Sequence, residues 1–407
     1  MLDKLQPHTR FSFFLELFFK EKTFPWFYQK ITNNYIDSIV YTKANTAAKG
    51  SKIETCIVYD IPSYLEIESS LQNTDLEEIK IPLYNGYAVY LANHSTCDAF
   101  LNDQVGKSRT NKLRRHQNRL DLSIAPTYTM YYGSIDKKEY TRLFKELKRI
   151  TAIRFTQKEE HNFELPYLNY YEEIMYQMIF NKKASIYVIY DKDKPINITL
   201  NFIDGETMLH FNSCFDVDYN MFNLGHLNTI KHLRWCYDNG IQLFDMGRGD
   251  FFHKRQWVNK TYLYQEQIIY NSKSWTATLK AKKTVLQHKF RFIIIGILKK
   301  FNFHLLYGKF ITFKYRLSQP KNTVTTPVYK VVNNCEIPQK DILVQIEYLA
   351  KEYQFLLFYI NDFLHKNFEK NTNITVYKED GIPPTFYIKG EKKSQKISLA
   401  AAYKTSP

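Results

Sequence analysis

The apolar positions of this chain change period several times, and each change marks an element. From Lys52 to Asn93 they alternate, predicting strands over Glu54–Tyr59, Ile81–Tyr84 and Tyr87–Leu91. Asn85-Gly86 between the last two predicts a hairpin. A helix from about Asp98 to Leu120 follows. Then Tyr140, Leu143, Phe144, Leu147 and Ile150 form one helical stripe, and Tyr171, Ile174, Met175 and Met178 form another. Ser185–Tyr190, Ile196–Phe202 and Thr207–Ser213 read as strands. The segments between them, Asp191-Lys192-Asp193-Lys194-Pro195 and Asp204-Gly205, are turn chemistry.

The next segment is the most informative. After Asn223-Leu224-Gly225-His226-Leu227, the positions Leu227, Ile230, Leu233 and Tyr237 keep one helical face apolar, and Asn239-Gly240 predicts a left-handed stop. Ile241–Asp245 is a short strand. Gly247 and Gly249 then bracket a loop that ends in Asp250 and Lys254. A strand that opens through a glycine into a helix gathers backbone N–H groups at one spot, which suits phosphate or pyrophosphate.

Beyond Pro320, Lys321–Pro327 reads as a linker. Ile342, Ile346, Leu349, Tyr353, Leu356, Ile360 and Phe363 recur at four- and three-residue steps, predicting one long amphipathic helix. Packing on its own domain is expected ahead of coiled-coil dimerisation. A hairpin from Thr375–Tyr377 to Phe386–Ile388 around Asp380-Gly381 is expected next, with a loose tail from Glu391.

At 407 residues, two or three domains are expected rather than a single core. An apolar share of 44% with 16% aromatics excludes wholesale disorder. Five scattered cysteines (Cys56, Cys97, Cys214, Cys236 and Cys335) form no Cys-x-x-Cys, which argues against a disulfide framework and a zinc site. The first residues lack the run of a signal peptide. The apolar run Phe292–Leu298 is far below the ~20 residues that a spanning helix needs. The expected location is cytoplasmic, with peripheral contact at the inner face of the membrane left open.

The net charge of +15 sits mostly in one segment. Between Glu266 and Glu336 there is no Asp or Glu, while thirteen Lys and Arg alternate with Phe and Tyr. Three readings compete for it. A helix laid on the domain with its lysines in water comes first, an interfacial helix on an anionic membrane second. Nucleic acid, in the form of tRNA, comes third.

The compound pattern resembles the GNAT acyltransferases, in particular the CelD-like branch associated with cellulose and other polysaccharide biosynthesis, a sister of the Fem peptidoglycan transferases. Members show Ser-Pro-Gly-x-x-Leu, a helix, then Phe-Asp-x-Gly-x-Gly-Asp-x-x-Tyr-Lys. This chain has Asn223–Leu227, then Phe244-Asp245-Met246-Gly247-Arg248-Gly249-Asp250 and His253-Lys254. The basic helix Lys107–Leu120 is a second shared part, and the likeness covers roughly residues 85–270. Leu224 replaces the proline and His253 the tyrosine, and the segment Leu147–Arg154 lacks a His found in many members.

The resemblance implies an α/β, mixed-sheet GNAT fold with a helical and hairpin C-terminal appendage. The first unit would be a degenerate copy of the plan, making the fold tandem. The expected domains are 1–125, 126–272 (the acyltransferase), the basic segment 273–320 and the appendage 325–407. Acetyl-CoA or another acyl-CoA would be co-substrate, without a metal. Asn223, Leu224, Gly225, His226 and Leu227 would bind its pyrophosphate. The thioester would lie along Thr207–Ser213, with Ile241–Asp245 splayed away. His210, Asp216, Asp218 and His253 are the candidate bases, and Tyr219 is the candidate acid. Asp250 stands where the resemblance puts a retained acid. Arg115, Arg119, Gly249, His253 and Lys254 would meet the acceptor, an amine on a sugar. The alternatives are an aminoacyl-tRNA-dependent transferase and a non-catalytic scaffold at the membrane surface.

Overall fold

Along most of the chain, alternating apolar residues are extended and those at three- and four-residue steps are helical, the stretch Ile342–Leu356 being the exception. A computed structural model describes residues 8–44, 53–72, 74–301, 303–318, 329–338, 342–381 and 383–399. In chain order come β1 (His8–Ser12), β2 (Tyr28–Asn33), β3 (Ser38–Thr42), β4 (Thr55–Pro62), β5 (Leu65–Ser69) and β6 (Leu76–Tyr90). The helices α1 (Cys97–Phe100) and α2 (Lys107–Ile124) follow, then β7 (Thr127–Tyr131), α3 (Lys137–Gln157) and α4 (Leu165–Phe180). Next are β8 (Ala184–Asp191), β9 (Lys194–Asp204) and β10 (Thr207–Phe215). A 3-10 turn, Val217–Phe222, leads into α5 (Leu224–Asp238). After it come β11 (Leu243–Arg248), α6 (Phe252–Arg255), β12 (Lys260–Asn271), α7 (Trp275–Lys300) and α8 (Phe303–Ser318). The remainder is β13 (Tyr329–Asn333), β14 (Leu343–Gln345), α9 (Leu357–Asn367), β15 (Thr375–Glu379), β16 (Thr385–Lys389) and β17 (Ser394–Leu399).

The chain divides into two units, neither continuous in sequence. The first comprises Met1–Gly106, Asn201–Phe211 and Leu233–Phe310. In it β1, β4, β12, β6, β11 and the start of β10 lie side by side in that order. β1 is parallel to β4, and β12 runs antiparallel to both β4 and β6. β11 is antiparallel to β6 but parallel to β10. That mixture gives the sheet its α/β character. The parallel rungs join Thr207–Leu209 to Leu243–Asp245, and β10 runs on to Phe215 while β11 stays with β6. Phe13, Phe27, Tyr28, Phe244 and Trp257 are fully buried in this unit.

The second unit comprises Lys107–Leu200, Asn212–His232 and Ile311–Pro407. β9, β8 and β7 are neighbours in it, and α3 is tied to α4 by the Tyr140 hydroxyl, which donates to the Glu172 carbonyl at 2.6 Å. Its core gathers Leu120, Ile124, Tyr187, Tyr219, Phe222, Leu224, Leu227 and Leu357. The appendage forms a five-stranded sheet, β13-β17-β16-β15-β14, over which Ile360, Phe363 and Leu364 of α9 pack against Val376, Phe386 and Ile397.

Three expectations are corrected. No hairpin forms at Asn85-Gly86, because β6 runs straight through it, pairing Asn85 with Leu263 and Gly86 with Tyr262. A Cβ at position 86 would overlap the Tyr262 ring, so this glycine serves a close approach rather than a turn. The long C-terminal helix shrinks to α9, preceded by the 3-10 turn Lys351–Leu356. The segment around Ile346 instead follows β14, an edge strand. Strand, turn and helix residues dip into one apolar cluster, which imitates helical spacing. Coiled-coil pairing therefore has no helix to use. The tail is not loose up to Leu399 either, since β17 lies between β13 and β16 with Ile397 fully buried. The expected linker 321–327 lies outside the described residues.

Candidate active site

In the second unit the polypeptide reaches α5 through one left-handed residue, Asn223, at φ +57°. Asparagine tolerates this region better than most side chains. Its carbonyl accepts from the N–H groups of His226 and Leu227 at 3.0 and 3.2 Å, which starts the helix. Leu224 and Leu227 anchor the turn in the core, while Gly225 is exposed and His226 half-buried. The N–H groups of Leu224 and Gly225 precede the first helical bond and sit at the positive end of α5.

Gly225 is not explained by the fold around it. Its backbone angle lies outside the left-handed region, and an added Cβ would meet only Phe215, at 3.9 Å. A glycine inside a helical turn costs about 1 kcal/mol against alanine. The Arg154 guanidinium of α3 lies 5.5 Å from the centre of the same Phe215 ring.

Behind the turn runs a buried polar seam. The Asn228 amide donates to Thr199 Oγ1 at 2.7 Å and also to Asn197 Oδ1. Thr199 and Ser213 hydroxyls are 2.9 Å apart, and Asn197 Nδ2 donates to the Cys214 carbonyl at 3.1 Å. His232 Nδ1 is 2.8 Å from the Asn228 carbonyl. Such a seam fixes α5 against β9 and β10 more directionally than apolar packing would.

Asp216 caps the 3-10 turn. Its carboxylate accepts from the Asp218 N–H at 3.1 Å and pairs with Lys194 at 2.8 Å and Arg149 at 3.6 Å. Burial, and then the charge of Asp216, pushes the Asp218 carboxyl up to about 6, against the pull of Lys194 and Arg149. Tyr219 is fully buried and donates its hydroxyl to Asp191 at 2.7 Å. Burial, then the Asp191 charge, raises its pKa.

In the first unit the loop after β11 is held from below. Gly247, at φ +69°, donates its N–H to Asp245 at 2.7 Å. Tyr64 and Tyr262 donate their hydroxyls to the same carboxylate at 2.6 and 2.7 Å. Burial raises the Asp245 pKa and these three donors lower it. Lys254 is buried, and its Nζ donates to the carbonyls of Met246 and Arg248, both at 2.7 Å. Burial, partly offset by Asp245 and reinforced by Arg248, pushes its pKa down to about 8.

The remaining expected residues fall as follows. His210 follows the last parallel rung of β10, half-buried, with its ring 5.4 Å from that of Phe244. Asp250 is exposed and receives a bidentate pair from Arg255, both bonds at 2.8 Å. Gly249 lies at φ +99°, where a Cβ would overlap Phe251. His253 is on α6, and its side chain lies outside the described residues. Arg115 is exposed on α2. Arg119 lies over the Phe368 ring at 4.2 Å and within 3.4 Å of His365 Nε2. Sequence reasoning missed the seam and the tyrosines around Asp245. Only Tyr262 and Tyr264 left a signal, as alternate residues of one strand. Among the described residues no group of three His, Cys, Asp or Glu side chains is placed to hold a metal ion.

Residues 107–255 match the family described as the acetyltransferase (GNAT) domain, so this stretch carries a GNAT-type acyltransferase domain. No curated protein matches it. Among solved structures it is similar to FemX, at 10% identity and a TM-score of 0.39 over 55% of this chain and 73% of that one. It is similar to L-PGS from Bacillus licheniformis at 14% identity and a TM-score of 0.33, covering 56% and 72% of the two chains. A tandem GNAT protein from the clavulanic acid biosynthesis pathway gives 9% identity and a TM-score of 0.29, covering 53% and 64%.

Proposed function

We propose that this chain moves an acyl group from acyl-CoA to an amine, and that the amine belongs to an amino sugar on a glycan precursor, as in the CelD-like branch that its motifs resemble. The observation that carries the donor is Gly225, a helical glycine with no conformational or packing need inside the protein. A ligand that comes close to the backbone would account for the missing side chain, and the N–H groups beside it suit a pyrophosphate. The amine nitrogen attacks the thioester carbonyl carbon, the carbon–sulfur bond breaks, and the thiolate takes up a proton. His210 is the group we assign to accept the amine proton, because it follows the last parallel rung of β10, where the resemblance puts the thioester, and an imidazole can serve as a general base. Asp250 is assigned to orient the acceptor.

Gly225→Ala separates the ligand reading from a structural one. The variant should melt higher, by up to about 1 kcal/mol of added stability. It should also bind acetyl-CoA at least roughly tenfold more weakly in calorimetric titration, as the methyl blocks the anion. Higher stability with unchanged affinity sinks the assignment of the turn. Transfer of labelled acetyl groups to a panel of amino-sugar nucleotides tests the acceptor, and background counts throughout would reject it. In that assay His210→Ala should lose turnover while keeping acetyl-CoA affinity; retained turnover removes His210 as base.

A further inference from the structure

α7 has two apolar faces, and one of them is uncovered. Toward the sheet of the first unit it turns Ala277 and Ala281, buried against Ile57, Ile81, Ile268 and Tyr270. Two turns on, His288 Nε2 lies 3.0 Å from Oε1 of Glu266, a carboxylate that also pairs with Arg10 at 3.0 Å. These contacts leave α7 seated by its small residues. The expectation that its large apolar residues would pack on the domain is overturned, because they point away.

Trp275, Leu279, Leu286, Phe290, Ile293 and Ile297 follow one another at steps of four, seven, four, three and four. At 3.6 residues per turn they fall within an arc of about 60°, on the side opposite the two alanines, and run for about 33 Å. Their exposures are 76%, 58%, 67%, 63%, 60% and 51%. Lys282 and Lys289 border the stripe on one side and Lys283 on the other, all exposed. From Gln267 to Cys335 the sequence holds no acidic residue.

We infer that the outer face of α7 docks on an anionic lipid surface, the helix lying in the plane of the headgroups with the Trp275–Ile297 stripe at the acyl boundary. A water-exposed stripe this long and this apolar calls for a cover. Its rim selects which one. A second copy docked on the same face would set lysine rim against lysine rim, whereas anionic headgroups would neutralise both rims. Among the described residues no helix is long and apolar enough to cross a membrane, so the chain would lie on the bilayer through α7. This inference does not depend on the acceptor of the acyl group, and its test uses no activity.

Flotation of the full chain with phosphatidylcholine vesicles, with and without phosphatidylglycerol, tests it. The protein should float with the anionic vesicles alone and release as salt is raised. Lys282→Gln, Lys283→Gln and Lys289→Gln combined should lower partitioning roughly 100-fold. Phe290→Ser with Ile293→Ser should lower it at least roughly tenfold. Both sets change exposed residues, and an unaltered melt confirms an intact fold. Independently of those variants, tryptophan emission should shift to the blue on anionic vesicles, and Trp275→Phe should abolish the shift. Failure to float at low salt overturns the proposal, and so does equal binding to neutral vesicles. A self-association that Phe290→Ser with Ile293→Ser abolishes, without vesicle binding, would overturn it in favour of a second copy.

Discussion

Lys254 shows how one side chain both holds a loop and carries a pH signature. Its ammonium braces the turn between β11 and α6 through two carbonyls, and burial pushes its pKa down to about 8. Below pH 8 both the folded and the unfolded chain hold the proton. Between pH 8 and the ordinary lysine value near ~10.5 only the unfolded chain does, so the folded state gains stability as pH rises through that window. Against Lys254→Met, the wild-type advantage in urea midpoint should therefore grow from pH 8 to pH 10. A constant difference would mean that Lys254 titrates as a solvated amine. The family motif ends in this lysine, but only the fold shows that its Nζ faces backbone carbonyls.

At the scale of elements, β6 and β12 pair along the first unit, and Gly86 sits opposite Tyr262. Gly86→Ala would press on Tyr262, whose hydroxyl holds Asp245. A loss of roughly 1–3 kcal/mol in urea unfolding is expected from such overpacking, and an unchanged midpoint would show that the ring moves aside freely. This position also marks the limit of what the sequence discloses. Asn-Gly between two apolar runs is hairpin chemistry locally, and only the partner strand reveals why the glycine is there. The helices α3, α4 and α5, the strands β8, β9 and β10, and the caps at Asn223 and Gly240 were all legible, because their period and their stop signals are local. Of the C-terminal sheet only the hairpin of β15 and β16 was. Its short segments share one cluster with α9, and apolar spacing cannot tell a strand that dips into a core from a helix that lies on it. The sites show the same division: the glycine turn and the loop after β11 were readable in the sequence, while the Asn197–Asn228 seam behind the one and Tyr64 beneath the other come from distant positions.

For the molecule as a whole, the appendage is part of the second unit rather than an ornament on it. Leu357 belongs to the same core cluster as Leu224 and Leu227, and the Asn361 amide donates to the Asp218 carbonyl at 2.9 Å. α9 thus supports the turn proposed to grip acyl-CoA. Leu357→Ala should cost roughly 2–5 kcal/mol. Asn361→Ala should weaken acetyl-CoA binding without touching the ligand; if titration gives an unchanged affinity, the support is structural alone.

That support has a practical corollary. The family boundary ends at residue 255, whereas Leu357 lies about a hundred positions further on. A gene fragment trimmed to the family boundary would express the glycine turn with its apolar underside open to water. Such a fragment should accumulate as inclusion bodies, and the smallest soluble enzyme would have to carry α9 and the strands that fold over it.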